Sequence, residues 1–400
     1  MEKDLSRNIL NLNLIKVAKW FMLTVPILML FYKDCGFSTE ESFQLKAFYS
    51  IAIVIFEIPS GYMADVIGRK RTIVIGSIFG TLGFAIYSFF TGYWYFFFAE
   101  FTLGFGMSCI SGADSALLYD SLKSMGKEQQ YVKYEGRNFS IGNFSEALAG
   151  ITGGALAEIS LRLPFYFQTV VALIAVPASF LLVEPKLHMP NRQAGWKDIW
   201  RVLDYALVKN AGLRYHLIYS SIIGALTLTM AWVIQLYLAD IGFSEFNIGM
   251  ASTFLNLLVG FVTLYAYRIE KRLSPRFTVW ATTIVFTGSF VVSGLVQSAW
   301  IMVVFAFFYA ARGVATPVLK DYINKLTTSD VRATVLSVRS LIIRGFFALV
   351  GPLFGWFTDA YSMSQAFILL GICFTVATGS FIFLFLKSLT AKEGGKAEVL

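Results

Sequence analysis

The chain carries little that does covalent chemistry. Of its 400 residues two are histidine, His188 and His216, and three are cysteine, Cys35, Cys109 and Cys373. The cysteines stand far apart, and the last two lie inside apolar runs without ligand-like neighbours, so neither a disulfide framework nor a metal site is expected. Both histidines fall in or beside the polar central stretch and are expected to be solvated or interfacial, which argues against a histidine proton relay. Charge is scarce too, at 14% of residues against 56% hydrophobic, and a mean hydropathy of +0.65 is too high for a soluble globular protein. No Gly-Lys-[Ser/Thr] phosphate-binding run is present to couple ATP. The N-terminus, with Asp4, Arg7 and Asn8 ahead of Lys16 and Lys19, has no small-residue cleavage site, so the first apolar segment is expected to persist in the mature protein. The net charge of +8 would suit nucleic acid, but the basic residues punctuate apolar runs instead of forming a stripe. An enzyme, a cofactor and a nucleic-acid partner are all excluded on this reading.

Apolar length is what the chain has in abundance. Crossing about 30 Å of hydrocarbon takes about 20 residues. Twelve such segments are present, near 12–33, 43–65, 71–91, 93–120, 134–158, 163–183, 213–239, 246–267, 276–297, 299–319, 333–358 and 363–387. No basic residue occurs between Arg71 and Lys123, between Arg214 and Arg268, or between Arg344 and Lys387, and 28 of the 33 basic residues fall at the termini or on every second loop. By the positive-inside rule both termini and those loops are cytoplasmic. The longest polar stretch divides the chain into a first six-helix bundle (1–183), an interdomain linker (184–212) with an amphipathic helix around Trp196 to Leu207, and a second six-helix bundle with a short tail (213–400). A shift of 201 residues superposes Asp120 on Asp321 and Gly154 on Gly355, and a shift of 199 superposes Gly61 on Gly260 and Arg69 on Arg268, as two repeated halves would.

One motif stands at the turn between the second and third segments: Gly61-Tyr62-Met63-Ala64-Asp65-Val66-Ile67-Gly68-Arg69-Lys70-Arg71. Gly61 and Asp65 lie one helical turn apart on one face, where a neighbouring helix can approach and meet a carboxylate. Gly68 permits a tight reversal, and the basic triplet suits an anionic leaflet. The run resembles the loop signature of the major facilitator superfamily, and Arg332-Ala333-Thr334 with Ser337 at the start of the eleventh segment is similar to many of its members. The resemblance implies an all-α membrane protein of twelve transmembrane helices in two pseudo-symmetric bundles that rock about a midplane site. It also implies a cytoplasmic gate built from Gly61, Asp65, Gly68, Arg69, Lys70 and Asp120. In that gate Asp65 meets the N-terminus of the eleventh helix and Arg69 pairs with Asp120. The second copy of the signature is degraded, with Leu264 where Asp65 would be.

Ionisable groups inside hydrocarbon are costly, so each is a functional candidate. Glu146 lies mid-span, where burial penalises the charged form, and reads either as a reversible proton carrier or as a permanently paired carboxylate. Asp114 stands above Asp120 with Ser108, Ser111 and Ser115 on nearby turns, placed either to meet substrate or to brace the gate. Glu57, next to Pro59, reads as cavity-facing or as a packing contact. Glu100 occupies a position where drug exporters of the superfamily carry Arg. Arg312 and Arg344 have no acid close by in sequence and select an anionic or zwitterionic ligand if they face the cavity. Gly150-Ile151-Thr152-Gly153-Gly154 is similar to the exporter signature but lacks its proline. The expected function is proton-coupled export of small amphipathic compounds across a bacterial cytoplasmic membrane by a monomer. Two alternatives are symport of a small organic anion or zwitterion, and a non-transporting receptor or lipid-handling protein on the same fold.

Overall fold

The computed structural model describes residues 2–185, 201, 203–327 and 332–393. The linker reading for 186–200, with His188 and Trp196, lies outside the described residues. Twelve long helical elements follow in order: α1 (Leu5–Asp34), α2 (Thr39–Val66), α3 (Arg69–Phe89), α4 (Tyr93–Ser124), α5 (Tyr131–Ile159), α6 (Leu163–Phe180), α7 (Ala211–Asp240), α8 (Glu245–Leu273), α9 (Pro275–Leu295), α10 (Ile301–Asn324), α11 (Arg332–Ala360) and α12 (Met363–Glu393). No described residue is in a strand. Eleven of the twelve are long and apolar enough to cross a membrane. The remaining one, α5, has 29 residues but carries Lys133, Glu135, Arg137, Asn138, Asn143 and Glu146. It packs along α1 and α6 like its apolar neighbours, and a helix so polar needs partners or a wet cavity for its side chains.

Two spans expected to be continuous are broken. In α1, helix Glu2–Trp20 gives way to a tight turn at Val25–Ile27 before helix Leu28–Asp34, because Pro26 cannot donate to the helical ladder. The freed Leu23 N–H donates to Gln168 Oε1 of α6 at 2.7 Å, which meets the requirement that backbone groups be satisfied inside the bilayer. In α4 the helices Tyr93–Ile110 and Ala113–Ser124 meet at Ser111 and Gly112, the latter at φ 84°, a conformation that favours glycine. By contrast α2 runs unbroken through Pro59. A correction concerns His216, which is buried instead of solvated. Its Nδ1 lies 2.8 Å from the Gly212 carbonyl oxygen and its ring 4.4 Å from that of Phe385, because α7 starts at Ala211 and its second turn is already packed.

The helices sort into two compact units, one of residues 1–195 with 238–254, the other of 196–237 with 255–400. Within the first, α3 and α4 come together through Gly76 and Gly106, where a Cβ on either would lie 2.8 Å from the other's carbonyl oxygen. Gly104 in the same way admits Tyr49 and Ala52 of α2, and Ser38 and Glu41 close a capping box at the start of α2. Gly154 of α5 faces the Glu245 carbonyl and Gly249 at the start of α8. Within the second unit α9 packs along α10 and α12, Gly224 of α7 meets Ile343 of α11, and Gly313 of α10 meets Val259 and Val262 of α8.

Candidate functional site

Two ends of the first unit differ in charge. The basic end holds Arg69, Lys70, Arg71, Lys123 and Lys127, and the acidic end holds Asp34, Glu40 and Glu41. At the basic end, helix α3 begins directly after Gly68, whose φ of 99° makes the reversal. Arg69 donates through Nη1 to Asp120 and to the Ala116 carbonyl of α4, so the two residues that the resemblance pairs are in contact. The Glu184 carboxylate accepts from Arg69 N at 3.0 Å and Lys70 N at 2.7 Å, capping the first two orphan amides of α3. Asn8, 0% exposed, bonds Ser121 and the Val183 backbone and so ties α1 to α4 and to the chain after α6. Glu184 and Asn8 carry no motif, and only a residue that both follows α6 and can reach an α3 N-terminus would have signalled a cap. Gly61 and Asp65 are both exposed.

Further in, where α4 breaks, Asp114 has Lys16 Nζ 3.9 Å and Lys19 Nζ 3.7 Å from Oδ2, both from α1. One carboxylate thus stands between two ammonium groups. Ser115 Oγ donates to Glu135 Oε1 of α5 at 2.8 Å, and the other Glu135 oxygen and Asn138 Oδ1 are buried without a hydrogen bond among the described residues. The pairing of Asp114 was hidden in the sequence because Lys16 and Lys19 read as flanking charge. Their spacing of three within an apolar run, which puts both on one helix face, was the available signal.

At the acidic end a second constellation is closed to solvent. Glu100, 0% exposed, receives Lys46 Nζ at 2.8 and 3.1 Å, Tyr32 Oη at 2.6 Å and Tyr87 Oη at 2.7 Å. Gly104, one turn from Glu100, brings α2 close enough for Lys46 to reach it. Sequence reasoning singled out Glu100 but missed Lys46, the lone cation of α2.

The remaining candidates are half-buried. Glu57 and Glu146 are in this class, as are Arg312 and Arg344 in the second unit. Arg312 lies 5.6 Å from the ring of Tyr309 on its own helix, and Arg344 Nε is buried without a hydrogen-bond partner among the described residues. Among the described residues neither arginine pairs with a carboxylate of its own unit. No cluster of three or more His, Cys, Asp or Glu that could hold a metal occurs among the described residues.

Residues 14–205 match the family model described as Major Facilitator Superfamily. The chain is 24% identical over 367 residues to an uncharacterized MFS-type transporter of Bacillus subtilis (strain 168), YxaM, covering 87% of this chain and 88% of that one. It is 28% identical over 173 residues to multidrug resistance protein 2 of the same organism, a match spanning 42% of each chain and so less than half of that relative. The fold is that of the nucleoside transporter NupG, with a TM-score of 0.75 at 17% identity over 96% of this chain and 99% of that one. Residues 14–205 thus match the Major Facilitator Superfamily in sequence, and the described helices share the fold of a solved nucleoside transporter.

Proposed function

We propose that the chain is a secondary transporter, worked by alternating access and driven by protons, that exports small amphipathic compounds bearing a negative or zwitterionic charge. The observation that carries the cargo class is the sign of the interior charge. Among the described residues Arg312 and Arg344 have no carboxylate partner in their unit, and Asp114 is outnumbered by Lys16 and Lys19. An interior with spare cations attracts an anion and repels an organic cation. Export is favoured by likeness over 42% of the chain to a protein named for multidrug resistance. The 1–183 and 213–400 bundles are taken as the rocking bodies, with Asp65, Arg69 and Asp120 as the cytoplasmic gate and Glu146 and Glu57 as proton-carrying candidates.

Reconstituted vesicles with an imposed pH gradient test this directly. An anionic amphipathic fluorophore should move only when the gradient is present, and Arg312→Ala should lower its kcat/KM by about tenfold, the loss of a charge-assisted contact. Gradient-driven flux of a cationic fluorophore that Arg312→Ala leaves unchanged would overturn the cargo class, and flux of neither would overturn the transport mechanism.

A further inference from the structure

Arg312 and Arg344 are not the deepest basic groups of the second unit. Arg339 of α11 is only 8% exposed. Its Nε donates to Ser220 Oγ at 2.5 Å and an Nη to the Ser220 carbonyl at 3.4 Å. Both acceptors are uncharged and both belong to α7. Among the described residues no carboxylate pairs with Arg339. The charge that faces it across the packing is of like sign, the exposed Lys320 of α10. The acids at this end of the unit are engaged elsewhere: Asp321 with Lys325 at 2.6 Å, and Glu270 with the Tyr322 hydroxyl at 2.8 Å.

A guanidinium taken out of water without a counter-ion is among the most unfavourable arrangements a protein can hold, and two cations converging on one place make it worse. A serine hydroxyl that accepts from Arg339 keeps its own proton to donate. Arg339 of α11 and Ser220 of α7 therefore bring N–H and O–H donors together, and Lys320 of α10 adds a second positive charge that Arg339 feels. Leu217, Ile323 and Val335, three or four positions along the chain from Ser220, Lys320 and Arg339, belong with Leu213 to a buried apolar cluster. The open flank is the one on which Lys320 is exposed.

We infer that Arg339, Lys320 and Ser220 form a binding site for a phosphate-type oxyanion. Arg339 presents to two oxygens the Nη–H groups that Ser220 does not take, Ser220 donates to a third, and Lys320 neutralises the charge from the open flank. The same chemistry is met by the phosphate of an anionic lipid headgroup and by a free phosphate in solution. The inference is independent of the transport reading, since it concerns a cation that lacks its counter-ion whatever the chain carries.

Thermal unfolding of the purified full-length protein tests it, because a ligand of the folded state raises Tm as its concentration rises above Kd. Inorganic phosphate is titrated against chloride at constant ionic strength, and vesicles of phosphatidylglycerol are compared with vesicles of phosphatidylcholine. The site predicts a saturable rise in Tm with phosphate, with phosphatidylglycerol or with both, reduced in Lys320→Ala and lost in Arg339→Gln. Stabilisation by phosphatidylglycerol alone assigns the site to lipid, and stabilisation by inorganic phosphate assigns it to a soluble anion. Lys320→Ala changes an exposed side chain and keeps the test decisive should Arg339→Gln fail to fold. A rise of equal size in wild type and Lys320→Ala, or no rise with either probe, overturns the inference.

Discussion

One ammonium and two phenols supply the Glu100 carboxyl group, away from solvent, with the hydrogen bonds that hydration would. Breaking a buried ion pair by removing one partner costs about 3–5 kcal/mol, since the other charge is left uncompensated. Lys46→Met should therefore lower the unfolding midpoint sharply, while the double variant with Glu100→Leu should recover much of the loss; a midpoint unmoved by Lys46→Met would mean the pair contributes nothing. The same reasoning separates the two acids of α4. Glu100 is enclosed by donors within 3.1 Å, whereas Asp114 meets its two lysines only at 3.7 and 3.9 Å, a looser arrangement that leaves ammonium N–H groups for other acceptors. In the sequence both appear as one acid in an apolar run. Which lysine reaches which acid depends on helices some 54 to 98 positions away, and no local pattern encodes that.

Broken helices give the spans their specificity at the next scale. The break in α1 holds because Gln168, 0% exposed, takes the Leu23 amide, and because Gly153 of α5 leaves room for the Leu23 carbonyl. A methyl at position 153 would press on that backbone oxygen, so Gly153→Ala should destabilise by about 1–3 kcal/mol through overpacking. An undiminished unfolding midpoint would show that α1 shifts freely at its break. Pro26 was a visible signal for this break. The one in α4 was masked, because Gly112 sits among small residues in a run that reads as continuous helix, and only its positive φ sets it apart. The polar helix α5 was expected as a span on length, and its place beside α1 and α6 agrees with that. The Gly150–Gly154 run, similar in sequence to the exporter signature, serves close packing, with Gly150 against Thr253 and Gly154 against Gly249.

For the whole molecule, coupling is the property at stake. If Glu146 carries the proton, Glu146→Gln should abolish accumulation against a gradient while leaving gradient-free exchange of the anionic fluorophore in place. Loss of folded protein in that variant would instead assign Glu146 a structural role. Asp65→Asn, at the exposed end of α2, should slow turnover with little change in ligand affinity, as a gate requires; a large loss of affinity would move Asp65 into the binding site.

Apolar length and the alternation of basic loops were enough to determine an all-helical membrane protein, and the Gly61 to Arg71 run its resemblance to a transporter family, because the bilayer restricts what about 20 apolar residues can become. Each of those signals is local, complete within one or two helices. The tertiary structure alone decided that Glu184 caps α3, that Lys46 neutralises Glu100, that Lys16 and Lys19 share Asp114, and that the Arg339 guanidinium is buried against Ser220. Those outcomes turn on which faces of distant helices meet. An energy that depends on the approach of two charges a few ångströms apart is set by packing, and helical periodicity in one segment carries no record of its neighbour's rotation.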